Sequence, residues 1–271
     1  KFTPSPYLTF SVHLDGLKEH HDLAVNQEGT FEIATRAIRK AKEMGFRVNV
    51  ACTLFDQMNS EEAARFFEFC TNDLRVEGIT VSPGYAYERA PDQEHFLTRK
   101  KTKQLFRDIF SKPGSKSWKF GQSTLFLDFL AGNQSYECTP WGNPARNIFG
   151  WQRPCYLLGE GYANSFKELM EDTDWDNYGT GNYEKCADCM VHCGYEATAV
   201  ADTVNNPLKA LLVLLRGIKT KGEMAPEIPL TNQRPAEFVF DGLIKRMTEN
   251  PQENEAELKL QVRSQTKSNA A

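Results

Sequence analysis

The sequence predicts an α/β fold: a partial (β/α) barrel of parallel strands followed by a small cysteine-rich domain. Three observations predict it. Residues 7–85 alternate strand and helix patterns, the strands among them each pair an apolar face with a polar one, and five of the seven cysteines crowd into residues 138–193.

The elements follow in order. Tyr7–Gly16, YLTFSVHLDG, alternates β-formers with period two and stops at Asp-Gly. Gly29–Gly45 places Phe31, Ala34, Ile38, Ala41 and Met44 at helical spacing, with Gly45 as the stop. Phe46–Phe55 reads as a second strand, and Asn59–Asp73 as a helix with an Asn/Ser cap and early glutamates. Glu77–Tyr85 is a third strand. Such an order implies parallel strands with right-handed crossovers, in either a doubly wound sheet or a barrel. Phe96–Phe110 reads as a basic amphipathic helix, and Ser123–Gly132 as a short apolar helix or strand.

Alternation assigns the faces. Leu8, Phe10, Val12 and Leu14 oppose Thr9, Ser11, His13 and Asp15. Val48, Val50, Cys52 and Leu54 oppose Asn49, Ala51 and Thr53, while Ile79 and Val81 oppose Thr80 and Ser82. A parallel strand covered on both sides is apolar throughout. Three strands with a polar side therefore fit a barrel whose lumen holds a polar ligand at the carboxyl ends of the strands; the alternative is an exposed mixed sheet. His13 suits either a ligand contact or a satisfied core position. Cys52 and Cys70 fall on apolar patterns and read as buried, inert thiols. His20 and His21 lie in a polar connection and are expected in solvent.

The pattern changes near Gln134, where turn residues and tryptophans accompany the cysteines. The expected organisation is 1–133 for the barrel part, 134–201 for the cysteine-rich domain, 202–249 for a helical extension with its helix at Asn206–Ile218, and 250–271 for a charged, disordered tail. Cys186-x2-Cys189-x3-Cys193 is a tight chelating loop, preceded by Cys138-x11-Gly150-x4-Cys155. Disulfides would leave one of five thiols over and need an oxidising compartment. Structural zinc and an iron–sulfur cluster both accept such a thiolate set, and spacing alone does not separate them.

Composition excludes some classes. A formal charge of −4 over 271 residues gives no basic surface for nucleic acid. The longest apolar run, Ala210–Ile218, is broken by Arg216 and is far shorter than the roughly 20 residues a bilayer span requires. No signal peptide is visible, which suggests a cytoplasmic location. The chain opens at Lys1 directly on a strand pattern and is expected to be part of a longer protein.

The strands SVHLDG, VNVACTL and GITVSPG resemble the fourth to sixth strands of the radical S-adenosylmethionine barrel. The spacing Cys138-x11-Gly150-x4-Cys155 with cysteines following resembles the SPASM or twitch domain of that superfamily. FSVHLDGLKEHHD, PGYAYERAPDQEHFL and the stretch from Cys155 to Ala197 resemble the adenosyl-hopene transferase family of hopanoid biosynthesis, over residues 1 to about 201. The superfamily's C-x3-C-x2-C loop, which holds the catalytic cluster, is not in this sequence, so the chain by itself is expected to be inactive.

The resemblance implies a transferase that adds the 5′-deoxyadenosyl radical of S-adenosylmethionine to the alkene of hopene. It implies that Ser11, His13, Asp15 and Asn49 contact S-adenosylmethionine, with Thr80 and Ser82 as weaker candidates. It further implies that Cys138, Cys155, Cys186, Cys189 and Cys193 supply the ligands of an auxiliary [4Fe-4S] cluster, four of them sharing it. The implied partners are a hopene-type lipid, an electron donor such as flavodoxin or ferredoxin, and a peripheral contact with a membrane through Pro207–Ile218; a core helix is the other reading of that segment. The alternative from another class is a non-catalytic, zinc-stapled binding module.

Overall fold

The computed structural model describes residues 2–85 and 94–231. The expected tail at 250–271, and the part of the expected extension after residue 231, lie outside these residues. The described chain divides into two compact units, one formed by 2–143 with 174–231 and the other by 144–173. The units therefore divide inside the stretch expected as a single cysteine-rich domain.

The first unit is built on a parallel three-stranded sheet in the order β1 (Thr9–His13), β2 (Arg47–Leu54), β3 (Gly78–Pro83). α1 (Lys18–Ala24) and α2 (Thr30–Glu43) connect β1 to β2, and α3 (Ser60–Glu68) leads through a π turn, Phe69–Asp73, to β3. Asn59 caps α3 as its pattern predicts: the side chain accepts from the Glu62 amide at 3.0 Å, and Glu62 reaches back to the Asn59 amide. Such a reciprocal cap satisfies two amides that a helix start otherwise leaves open. α2 ends near Gly45, whose φ of +83° disfavours any side chain. It buries Ile38 as expected, whereas Met44 at its end is exposed.

Register confirms the assigned faces. Ser11 pairs with Asn49, His13 with Ala51, Ala51 with Thr80 and Thr53 with Ser82, so the polar residues share one side. The opposite side buries Val48, Val50, Cys52, Leu54, Ile79 and Val81 together with Phe66, Phe67 and Cys70. Removal of this apolar surface from water is the main stabilising term of the unit.

α4 (Arg99–Phe110) and α5 (Thr124–Leu130) complete the core. α4 lies within the basic amphipathic helix expected at Phe96–Phe110, and its Arg99, Lys103 and Arg107 are all buried. Arg107 donates to the carbonyls of Ala131 and Gly222 at 2.9 and 2.6 Å, and Lys103 pairs with Glu227 at 2.7 Å. A charge taken out of water is tolerated when every donor finds such a partner.

In the second unit β4 (Arg146–Asn147), β5 (Gly150–Gln152) and β6 (Tyr162–Ala163) form a small antiparallel sheet, followed by α6 (Phe166–Glu171). Gly150, at φ +133°, lies where a Cβ would stand 2.6 Å from the Ala163 carbonyl oxygen, so this crossing requires glycine. The first unit then resumes and ends on α7 (His192–Asn205) and α8 (Pro207–Arg216). Only the second of these helices was expected from the sequence.

Candidate functional site

The carboxyl end of β1 carries the first constellation. Past the end of the strand, Asp15 turns inward and its side chain is buried. Its Oδ1 accepts from the Thr53 amide of β2 and from His13 Nε2, each at 2.7 Å. The carboxylate thus ties two strand ends together and raises the pKa of His13, chiefly through that hydrogen bond. The Asp15 amide donates to His21 Nδ1 at 3.2 Å. That bond leaves the His21 proton on Nε2, an atom that is buried without a hydrogen-bond partner among the described residues. His21 is only 1% exposed, which corrects the expectation of a solvated residue. Burial lowers its pKa, so the two rings, 5.9 Å apart and edge to face, are pushed in opposite directions. His20 remains partly exposed and lies 3.4 Å from Glu62.

A cavity of about 240 Å³ opens beside Asp15, lined by Thr53, Phe55, Met58, His20 and His95 among others. Ser11, His13 and Asn49 do not line it; they stand further back on the polar face, which is partly open. Of the four residues expected to hold S-adenosylmethionine, the structure therefore puts three on one surface and Asp15 at the mouth of the cavity. Thr53, Phe55, Met58 and His95 escaped the sequence reading because a lining residue carries no local pattern. Thr53 alone had a signal, since it sits on the polar side of β2.

The third strand meets different surroundings. His192, at the start of α7, lies 3.4 Å from the Ser82 hydroxyl, and burial lowers its pKa. The β3 edge is closed as well. Its Ile79 amide donates to Lys119 O at 2.7 Å and its Val81 amide to Gln122 Oε1 at 2.8 Å.

The residue after His192 begins the cysteine constellation. Cys193 lies in the first turn of α7, and Cys186 and Cys189 are joined by a tight turn in which the Cys189 amide donates to Cys186 O at 3.1 Å. Cys138 packs on the same helix start. A Cβ at Gly194 would stand 2.4 Å from its sulfur, and the Thr139 amide donates to Gly194 O at 2.7 Å. Burial pushes the Cys189 thiol well up, and the charges of Cys193, Cys138 and Cys186 add to the shift. Four thiols of one unit therefore feel one another. Cys155 belongs to the second unit, in a turn where the Leu157 and Leu158 amides face its sulfur and oppose the effect of burial.

Arg99 is the cation beside this loop. Its amide donates to Asp188 Oδ1 at 2.8 Å, and its guanidinium donates to Cys189 O at 2.8 Å. The same group stacks over the rings of Phe129 and Tyr195. A buried positive charge that also fixes the loop backbone suits a site that gathers negative sulfur. The four thiols are the donor type that a thiolate-bound metal takes. Among the described residues, however, no three or more His, Cys, Asp or Glu side chains stand in a closed metal-binding arrangement.

Residues 79–213 match a family model described as a domain of unknown function, DUF3463. A solved structure, hexahistidine-tagged anSMEcpe with bound AdoMet, is similar over 77% of this chain and 69% of its own, with 16% identity and a TM-score of 0.41. No curated protein matches the chain.

Proposed function

We propose that this chain belongs to a radical S-adenosylmethionine transferase acting on hopene, with a thiolate-bound iron–sulfur cluster at Cys138, Cys186, Cys189 and Cys193. The observation that carries the cluster is the placement of those four thiols around the start of α7, beside the Arg99 guanidinium that holds the Cys189 carbonyl. The sequence resemblance described above supports the enzyme class. The resemblance alone supports hopene.

S-adenosylmethionine would take one electron, break its C5′–S bond and release methionine, and its 5′-deoxyadenosyl group would join the exocyclic alkene as a new carbon–carbon bond, completed by a second electron and a proton. The chain's own residues would bind and orient. Ser11, Asn49 and His13 offer hydrogen bonds from one face, and Asp15 holds the two strand ends at the cavity mouth. Among the described residues β1 pairs with β2 on one side only, and its polar face is open, which suits further strands completing a barrel around the cofactor. Electrons would arrive from a small donor of the flavodoxin or ferredoxin type.

Anaerobic reconstitution with iron, sulfide and zinc analysis tests the cluster: stoichiometric zinc without sulfide would replace it by the zinc-stapled module. An assay for 5′-deoxyadenosine and adenosylhopane, on a chain extended upstream to include the catalytic cluster loop, tests the activity. Formation of 5′-deoxyadenosine without adenosylhopane would reject hopene and keep the class.

A further inference from the structure

α8 is built inside out. Its Val213 is buried, yet Leu208, Leu211, Leu212, Leu214 and Leu215 are exposed, at 74, 48, 62, 65 and 70%. Leu208, Leu211, Leu212 and Leu215 follow the i, i+3, i+4, i+7 spacing of one helix face. Val200 and Val204, one turn apart on α7, are exposed too. So many exposed leucines on ten residues are not the scattered apolar groups of an ordinary surface; a contiguous patch of this kind marks a contact.

Charge identifies what the contact is with. Residues 207–222 contain Lys209, Arg216, Lys219 and Lys221 and no carboxylate. Lys209 is engaged by Asp202 at 2.5 Å, and Arg216 lies 4.0 Å from Asp128 with its side chain 55% exposed. Lys219 and Lys221 are exposed just past the helix. Lys116 joins them: a Cβ at Gly217 would stand 3.1 Å from its Cε. Four cations thus border the carboxyl end of the leucine face. Two copies of this face would bring like charges together, which opposes self-association. Apolar side chains edged by cations, on a helix far too short to span, instead match a helix lying in the plane of an anionic lipid surface. Among the described residues no helix is long and apolar enough to cross a membrane.

We infer that the exposed face of α8, with Lys116, Arg216, Lys219 and Lys221, docks this protein on an anionic bilayer. The inference does not depend on the cysteine site or on the identity of the substrate.

Sedimentation with vesicles tests it, using the full 271-residue chain and either phosphatidylcholine alone or phosphatidylcholine with about 30% phosphatidylglycerol. The chain is expected to sediment with the anionic vesicles, to stay in solution with the neutral ones, and to be released by about 0.5 M salt, where exposed charges are screened. Lys219→Gln with Lys221→Gln should weaken partitioning by about 25-fold, at roughly fivefold per lysine. Leu212→Glu with Leu215→Glu should abolish it while leaving the circular dichroism spectrum unchanged, because both side chains are exposed. Vesicle binding that ignores the leucine changes overturns the inference. So does a dimer in sedimentation velocity that those changes dissociate, since the face would then be covered by a second copy. Failure of the chain to bind until residues 232–271 are deleted also overturns it, because the chain's own segment would be the occupant.

Discussion

The two outer strands of the parallel sheet carry the same alternation and meet opposite fates. β1 shows Ser11 and His13 on a face that remains exposed and, among the described residues, has a neighbour on one side only. β3 shows Thr80 and Ser82 on the same face, but His192 stands over Ser82, and Lys119 and Gln122 close its edge. Alternation therefore tells which side chains share a surface and not whether that surface is covered. The covered end leads to the cysteine loop, where burial raises the energy of every polar group that loses its partner. The open end is where a ligand has room, and there the exposed Ser11 and His13 keep water as a substitute.

Arg99→Met gives the largest expected break in this comparison. It would leave the buried Cys189 carbonyl without its guanidinium donor, while the bond from the residue-99 amide to Asp188 stays. Urea unfolding should show a loss of about 2 kcal/mol, as for a buried acceptor left without its charged donor. Ser11→Ala at the open end should change stability by less than about 0.5 kcal/mol. Comparable losses at the two sites would mean that the open face is not open.

Gly194→Ala sharpens the covered side. The new methyl meets the flexible end of Cys138 rather than backbone, so the thiol must move while the helix stays. Stability should fall by about 1 kcal/mol. In reconstituted protein the iron content should fall far more, if Cys138 is a ligand. Unchanged iron would remove Cys138 from the set.

The two histidines of the open end supply the smallest and most specific test. The hydrogen bond from Asp15 raises the pKa of His13, so its contribution to stability is complete below pH 6.5 and is lost as pH rises through the shifted value. Burial lowers the pKa of His21, so its contribution is present above pH 6.5 and is lost as pH falls through its shifted value. Proton NMR should show the His13 midpoint above that of an ordinary histidine and the His21 midpoint below it. Asp15→Asn should bring His13 back towards the ordinary value. A His13 midpoint unmoved by that substitution would show that the Asp15 contact is not formed in solution.

What the sequence by itself determined is what depends on near neighbours along the chain. The period-two alternation assigned the faces of all three strands, because successive side chains of a strand must point to opposite sides. Asn59 with Glu62 was legible as a helix start, and Cys52 and Cys70 as core thiols, both of which are buried. The spacing of the cysteines marked them as a group before any geometry was known. The tertiary structure decided what depends on residues far apart in the chain. α7 was not expected, since its start at His-Cys-Gly and its valines and threonines give weak helix propensity; contact with α5 and the Cys138 turn favours it. The buried basic stripe of α4 has the pattern of a solvated face, and partners such as Glu227 and the carbonyls of Ala131, Gly222 and Cys189 make its burial possible. His21 likewise lies inside because the Asp15 amide meets its ring there. In each case a charge or a ring nitrogen is indifferent to its sequence neighbours, and the partner that compensates its desolvation is brought to it by the fold.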